Sequence, residues 1–207
     1  MKIDKLALII AGGLVLISTL FEQKLAEMPY NYSNLTFYGE THMWCKILYF
    51  SIPVITVLLI VLSVVGFFFT KKYKKAAVIT FLSLIIGPGL IVNSMLKVGW
   101  GRARPYQVIR DGGSYSAPWQ PHFERHNDNS LPSGHVSVAM MLGVPLLGLG
   151  RRRLAFLVSS AFGCTISLVR MLQGGHYLSD VLLSMMITWI VALLVTYFVD
   201  KYLKYDS

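Results

Sequence analysis

The 207-residue chain is 55% hydrophobic and 14% charged, with a mean hydropathy of +0.58, more apolar surface than one soluble core of this length hides. Its formal charge of +9 does not indicate nucleic acid, because many of the basic residues sit in short clusters between apolar runs, as in the cytoplasmic loops of membrane proteins. Two cysteines, Cys45 and Cys164, are too few for a disulfide framework, and Cys164, inside an apolar run, reads as a small buried hydrophobe. The expectation is a single-domain, all-α integral membrane protein spanning residues 1–207.

Six apolar segments follow one another, at about 6–22, 47–70, 76–96, 136–150, 154–173 and 177–199, each a candidate to cross the hydrocarbon layer. The first follows Lys2 and Lys5 and lacks a small-residue cleavage pattern, so it reads as an uncleaved anchor rather than a signal peptide. Gly87-Pro88-Gly89 is expected to bend or break the third segment, because proline removes a backbone donor. The fourth is short and must borrow Gly134 and His135 or start below the interface.

Placing the N-terminus inside puts Lys2, Lys5, the Lys71 to Lys75 cluster, Arg151 to Arg153, Lys201 and Lys204 on the cytoplasmic side. These are 11 of the 19 basic residues. Six transmembrane helices with both termini cytoplasmic result, and the loops at about 23–46 and 97–134 lie outside. The second is long enough to expect a function of its own.

Lys97, Ser133, Gly134, His135, Arg170, His176 and Asp180 then gather at the outer ends of helices. Ionisable groups there are costly and expect partners. Lys97, Arg104 and Arg170 converge without matching carboxylates, which suits phosphate: arginine engages two oxygens with its planar fork and lysine acts as a point charge. The turn Pro132-Ser133-Gly134-His135 adds a helix N-terminus, and Gly134 permits close approach of an oxygen. His176 and Asp180, four apart, share a helix face, so the carboxylate is expected to hold one ring nitrogen and leave the other free to attack. His135, from another helix, can protonate the departing oxygen and then activate water.

The string Lys97-Val-Gly-Trp-Gly-Arg-Ala-Arg104-Pro105, then Pro132-Ser-Gly-His135, then Arg170 with His176 and Asp180 downstream, resembles the three-part signature of the type 2 phosphatidic acid phosphatase superfamily. The resemblance implies a six-helix membrane fold and a phosphohistidine intermediate on His176, with His135 as acid and base. It also implies a phosphate cradle of Lys97, Arg104, Ser133, Gly134 and Arg170, and no metal or other cofactor. Val169 stands where that family usually has serine, so one phosphate hydrogen bond is expected to be missing. The stretches 87–105 and 174–180 are similar to bacterial lipid A phosphatases, implying a lipid substrate in the inner membrane and an active site facing the periplasm. Undecaprenyl diphosphate and phosphatidylglycerophosphate phosphatases share the core motifs and are the alternatives. No obligate protein partner is indicated.

Duller roles compete. Arg102 reads as an interfacial anchor snorkelling to headgroups, and Trp100, Tyr106 and Trp119 as aromatic anchors. Arg110, His122, Arg125 and His126 are candidate headgroup contacts, a reading preferred to a metal site at His122 and His126 because nothing fixes helical spacing there. A headgroup transporter without hydrolysis is disfavoured, because the chain shows no internal repeat and its polar residues collect at one face.

Overall fold

A computed structural model describes residues 5–69, 71, 73–124 and 129–203, with side chains from Ile9 onward except Val98. Helix α1 (Lys5–Ser18) ends where Ser18 and Thr19 turn their hydroxyls onto the carbonyls of Val15 and Leu16. A short helix α2 (Glu22–Glu27) follows, then a two-stranded hairpin, β1 (Tyr30–Asn31) and β2 (Thr36–Phe37), pairing Tyr30 with Phe37. The Asn31 side chain accepts the Ser33 amide, the local bond that favours asparagine in turns. One turn of helix, α3 (Tyr38–Thr41), leads into the 27-residue α4 (Met43–Phe69).

Among the described residues four helices are long and apolar enough to cross a membrane: α4, the continuous run Lys74–Leu96, α10 (Arg152–Leu172) and α11 (Leu178–Tyr202). Shorter apolar helices cover Ile9–Ser18 and Gly134–Gly148. On α4 the side chains of Ile47, Phe50, Val54, Val57, Leu58, Val61 and Leu62 are exposed, which is the pattern of a helix whose outer surface meets hydrocarbon rather than water. Cys164 is exposed on α10, correcting the expectation that it is buried: it lies on the outward side of that helix, where a small apolar group also suits lipid.

The Lys74–Leu96 run begins as α5 (Lys74–Leu84), widens to a π-helix over Ile85–Leu96 and returns to α-winding as α6 (Lys97–Trp100). The expected break at Pro88 is thus a change of winding. Carbonyls that a tighter helix would bond are taken by side chains instead, Asn93 Nδ2 donating to the Pro88 oxygen at 2.7 Å and Ser94 Oγ to the Gly89 oxygen at 3.0 Å. The fourth apolar segment starts at Gly134 and includes His135, as α8 (Gly134–Met140), a 3₁₀ turn at Met141–Gly143 and α9 (Pro145–Gly148).

One apolar cluster joins Leu59 of α4, Ile79 and Leu84 of α5, Met141, Val144 and Leu147, Ala155 of α10 and the Val191–Val199 face of α11. A second, of Ile52, Val136, Val138, Ala139, Ile166 and Val181, lies beneath the polar residues of α8 and the first turn of α11. Helix α7 (Pro105–Ile109) opens the long loop that runs on to Ser133.

Candidate active site

The three motifs meet at one end of the bundle. Arg170 occupies the last turn of α10, and the loop Gln173-Gly174-Gly175-His176-Tyr177 returns the chain into α11. Gly174 has φ +62°, a conformation that side-chain-bearing residues rarely adopt, and the Phe37 ring lies where its Cβ would be. Its carbonyl accepts the Tyr106 amide at 2.9 Å, tying α7 to this loop. A side chain on Gly175 would collide with the Arg170 guanidinium. The resulting open cleft of about 350 Å³ is lined by Glu40, Tyr49, Arg104, Tyr106, Arg110, Arg170, Gln173 and Gly175.

His176 is buried beside this cleft. Its Nδ1 lies 2.5 Å from the carbonyl oxygen of Ser130 and 4.0 Å from the nearest Asp180 oxygen. The expected His176–Asp180 hydrogen bond is therefore replaced by one to the Ser130 backbone. The physical reason is that Asp180 is already occupied: it accepts the Ser130 hydroxyl at 2.6 Å and the Tyr177 amide at 2.9 Å, and pairs with Arg102. A carbonyl only accepts, so Nδ1 carries the proton and Nε2 keeps its lone pair. Burial, followed by the Arg170 and Arg104 charges, holds the His176 pKa well below its usual 6.5, with Lys97 contributing and the Ser130 bond opposing.

Lys97, Arg104 and Arg170 act on one another. The Lys97 pKa is lowered by burial and then by the Arg104 and Arg170 charges, because like charges held close disfavour the protonated form. Arg170 donates from Nη1 to Gln173 at 2.6 Å, while its Nε is buried and has no partner among the described residues. The Ser133 hydroxyl is buried and unpartnered in the same way. Buried polar atoms of this kind are uncommon in a finished fold.

His135 stacks on Tyr49 of α4, with ring centroids 4.4 Å apart and planes 17° from parallel, and the Arg170 guanidinium carbon lies 4.9 Å from the Tyr49 centroid. Gly134 has a reason beyond the one read from its sequence: a Cβ there would meet the Asn93 amide. Val169, where serine was expected, is fully buried.

Residues 75–204 match the family described as the PAP2 superfamily. The chain belongs to the PAP2 superfamily. Among its curated relatives is the lipid A 4'-phosphatase of Francisella tularensis subsp. novicida (strain U112), 33% identical over 150 residues that cover 70% of this chain and 68% of that protein. A lipid A 4'-phosphatase of Rhizobium leguminosarum is 28% identical over 167 residues, covering 72% of this chain and 67% of the relative. A third, from Rhizobium etli (strain ATCC 51251 / DSM 11541 / JCM 21823 / NBRC 15573 / CFN 42), is 33% identical over 123 residues, 55% of this chain and 44% of that protein. No solved structure gives a significant match. With its apolar helices, the chain is a PAP2 phosphatase of membrane lipids.

Several peripheral expectations change in this PAP2 protein. Arg102 is no snorkelling anchor: it is fully buried. Its Nη2 pairs with Glu22 at 2.6 Å, its Nη1 reaches Asp180 and Ser179, and its Nε donates to the Ser116 carbonyl. The two carboxylates raise its pKa against the opposing cost of burial. Arg110 lines the cleft, as a headgroup contact should, yet it is held by Glu40 at 3.2 Å and Asp111 at 3.1 Å. His122 faces Glu124 at 3.2 Å. Arg125 and His126 lie outside the described residues, and among those residues no cluster of three or more His, Cys, Asp or Glu has metal-binding proximity. Trp100 donates its indole N–H to the Pro118 carbonyl at 2.9 Å, fastening the long loop, whereas Trp119 is exposed and Tyr106 lines the cleft.

Sequence reading missed Glu22, Tyr49 and Ser130. Glu22 and Tyr49 carried a usable signal: a carboxylate directly after an apolar run, and a tyrosine near the outer end of another, each in want of a polar partner. Ser130 orients His176 through its backbone carbonyl, which has no residue signature, while its hydroxyl serves Asp180.

Proposed function

We propose that this phosphatase removes the 4'-phosphate of lipid A at the periplasmic face of a bacterial inner membrane. The observation that carries the reading is the His176 Nδ1 contact with the Ser130 carbonyl, which leaves Nε2 free beside three cations. Lys97, Arg104 and Arg170 hold the phosphoryl oxygens, and the unpartnered Ser133 hydroxyl and Arg170 Nε find their acceptors there. Gly134 leaves room at this wall of the cradle.

His176 Nε2 attacks phosphorus, and the bond from phosphorus to the sugar oxygen breaks as His135 delivers a proton to that oxygen. The phosphorylated imidazole is cationic, and its Nδ1–H rests against the Ser130 carbonyl with the Asp180 carboxylate 4.0 Å away. His135, now neutral, takes a proton from water as the water oxygen attacks phosphorus. The P–N bond breaks, inorganic phosphate leaves, and His176 returns neutral.

Six spans are the reading taken for the bilayer, with Ile9–Ser18 and Gly134–Gly148 added to the four longer helices. Exposed Arg151, Arg152 and Arg153 lie at the start of the helix whose far end carries Arg170, which favours a cytoplasmic basic end and a periplasmic catalytic end. The names of the three relatives favour the disaccharide lipid over the alternatives.

Purified enzyme given equal amounts of bisphosphorylated lipid A, undecaprenyl diphosphate and phosphatidylglycerophosphate should release phosphate fastest from lipid A, leaving the 1-phosphate in place, with chelator present throughout. Faster release from either other lipid would overturn the substrate assignment, and loss of the 1-phosphate would overturn the position.

A further inference from the structure

We propose that Glu22, on the short helix that follows α1, is a positioning residue for the reaction: it fixes the Arg102–Asp180–Ser130 array that holds His176. The inference rests on His176 being the nucleophile, as proposed above.

The array is continuous and has no solvent-exposed member among its charges. Glu22, Arg102 and Asp180 are each fully buried. Glu22 Oε1 accepts from Arg102 Nη2 at 2.6 Å and from the Tyr115 hydroxyl at 2.7 Å, while Oε2 accepts the Ser179 amide at 3.1 Å in the first turn of α11. The Arg102 plane is packed by Tyr177 at 4.5 Å and Tyr115 at 5.5 Å. Arg102 also fixes Ser130 through its backbone, its carbonyl accepting the Ser130 amide at 2.9 Å. Ser130 then gives its hydroxyl to Asp180 and its carbonyl to His176. Three separate stretches of chain, at Glu22, Ser116 and Ser179–Asp180, are thereby registered on one guanidinium, whose fork geometry is rigid, and a fourth, at Ser130, on the Arg102 carbonyl.

With two carboxylates and one guanidinium the array carries a net negative charge, partly balanced by the α11 N-terminus. That charge is fixed in place before phosphate arrives, and it favours the cationic imidazole that forms when His176 takes the phosphoryl group. Removing the Glu22 charge leaves Lys97, Arg104 and Arg170 in place, so substrate binding is spared while the chemical step is slowed.

The test is kcat and KM for Glu22→Gln, Glu22→Asp and Tyr115→Phe beside wild type and His176→Ala, with thermal unfolding in detergent measured on each. Glu22→Gln should lose about tenfold or more in kcat with KM changed less than about threefold. Glu22→Asp should recover part of that loss, and Tyr115→Phe, which loosens the carboxylate but keeps its charge, should fall between wild type and Glu22→Gln. A folded Glu22→Gln enzyme with wild-type kcat would overturn the proposal. So would a Glu22→Gln protein that fails to fold while Tyr115→Phe and Glu22→Asp keep full kcat, because Glu22 would then serve the fold alone. Inactive wild type, or an active His176→Ala, would instead strike the reading on which the proposal rests.

Discussion

The His176 imidazole is oriented by a backbone carbonyl, that of Ser130 at 2.5 Å, and not by the Asp180 carboxylate four residues further along the chain. A carbonyl cannot exchange a proton with the ring. It fixes the tautomer and angle, and leaves Asp180 to hold Ser130 and Arg102 in place. Asp180 thus acts on His176 through its neighbours and through its charge.

The pH dependence follows from the depressed His176 pKa. Burial and the Arg170 and Arg104 charges keep the ring neutral at pH values where a free histidine is half protonated, near 6.5. Protonation destroys the nucleophile, so activity is lost only as pH falls through the lowered value. The acid limb of kcat/KM should lie clearly below pH 6.5. A limb at or above that value, in enzyme whose His135 has been replaced to remove its own titration, contradicts the electrostatic account.

Arg170→Lys keeps the charge and loses the fork. The buried Nε of Arg170 has no partner among the described residues, and Nη1 is committed to Gln173. Lysine cannot present the same set of donors, so kcat/KM should fall by about 100-fold, with little change in thermal stability. Activity within about threefold of wild type would show that Arg170 serves as a point charge only.

Arg102→Met should destabilise the folded protein by about 3–5 kcal/mol, because it strands the Glu22 and Asp180 carboxylates in a buried site. Thermal or denaturant unfolding in detergent measures this. An interfacial anchor would lose far less, so unchanged stability would restore the reading made from sequence.

Tyr49 supports two groups at once, stacking on His135 and facing the Arg170 guanidinium. Tyr49→Phe keeps both ring contacts and should stay within about threefold of wild type, while Tyr49→Leu should lose about tenfold in kcat. Equal losses in the two variants would assign the role to the hydroxyl instead.

The helices and the family motifs were legible because apolar length and the His135, Arg170 and His176 spacings are written locally in the chain. The awkward fourth segment begins at Gly134, one of the two ways its short apolar run left open. What was not legible depends on distant residues meeting. Arg102 looked like any basic residue at a helix end until Glu22, eighty positions earlier, was brought to it. Likewise Asp180 has the right spacing to bond His176, and only the arrival of Ser130 and Arg102 explains why it does not. The winding change at Pro88 followed from proline chemistry, but the choice of a π-helix over a stop depended on Asn93 and Ser94 being placed to take the freed carbonyls.

The most direct test of the account is rapid base quenching of enzyme mixed with phosphate-labelled substrate, followed by peptide mapping of the label at alkaline pH. The account predicts a transient, acid-labile and base-stable label on His176, absent from His176→Ala and accumulating in His135→Ala, where the water step is slowed more than the attack on a substrate with a good leaving group. Turnover by His176→Ala, or a label mapped to any other residue, would contradict it.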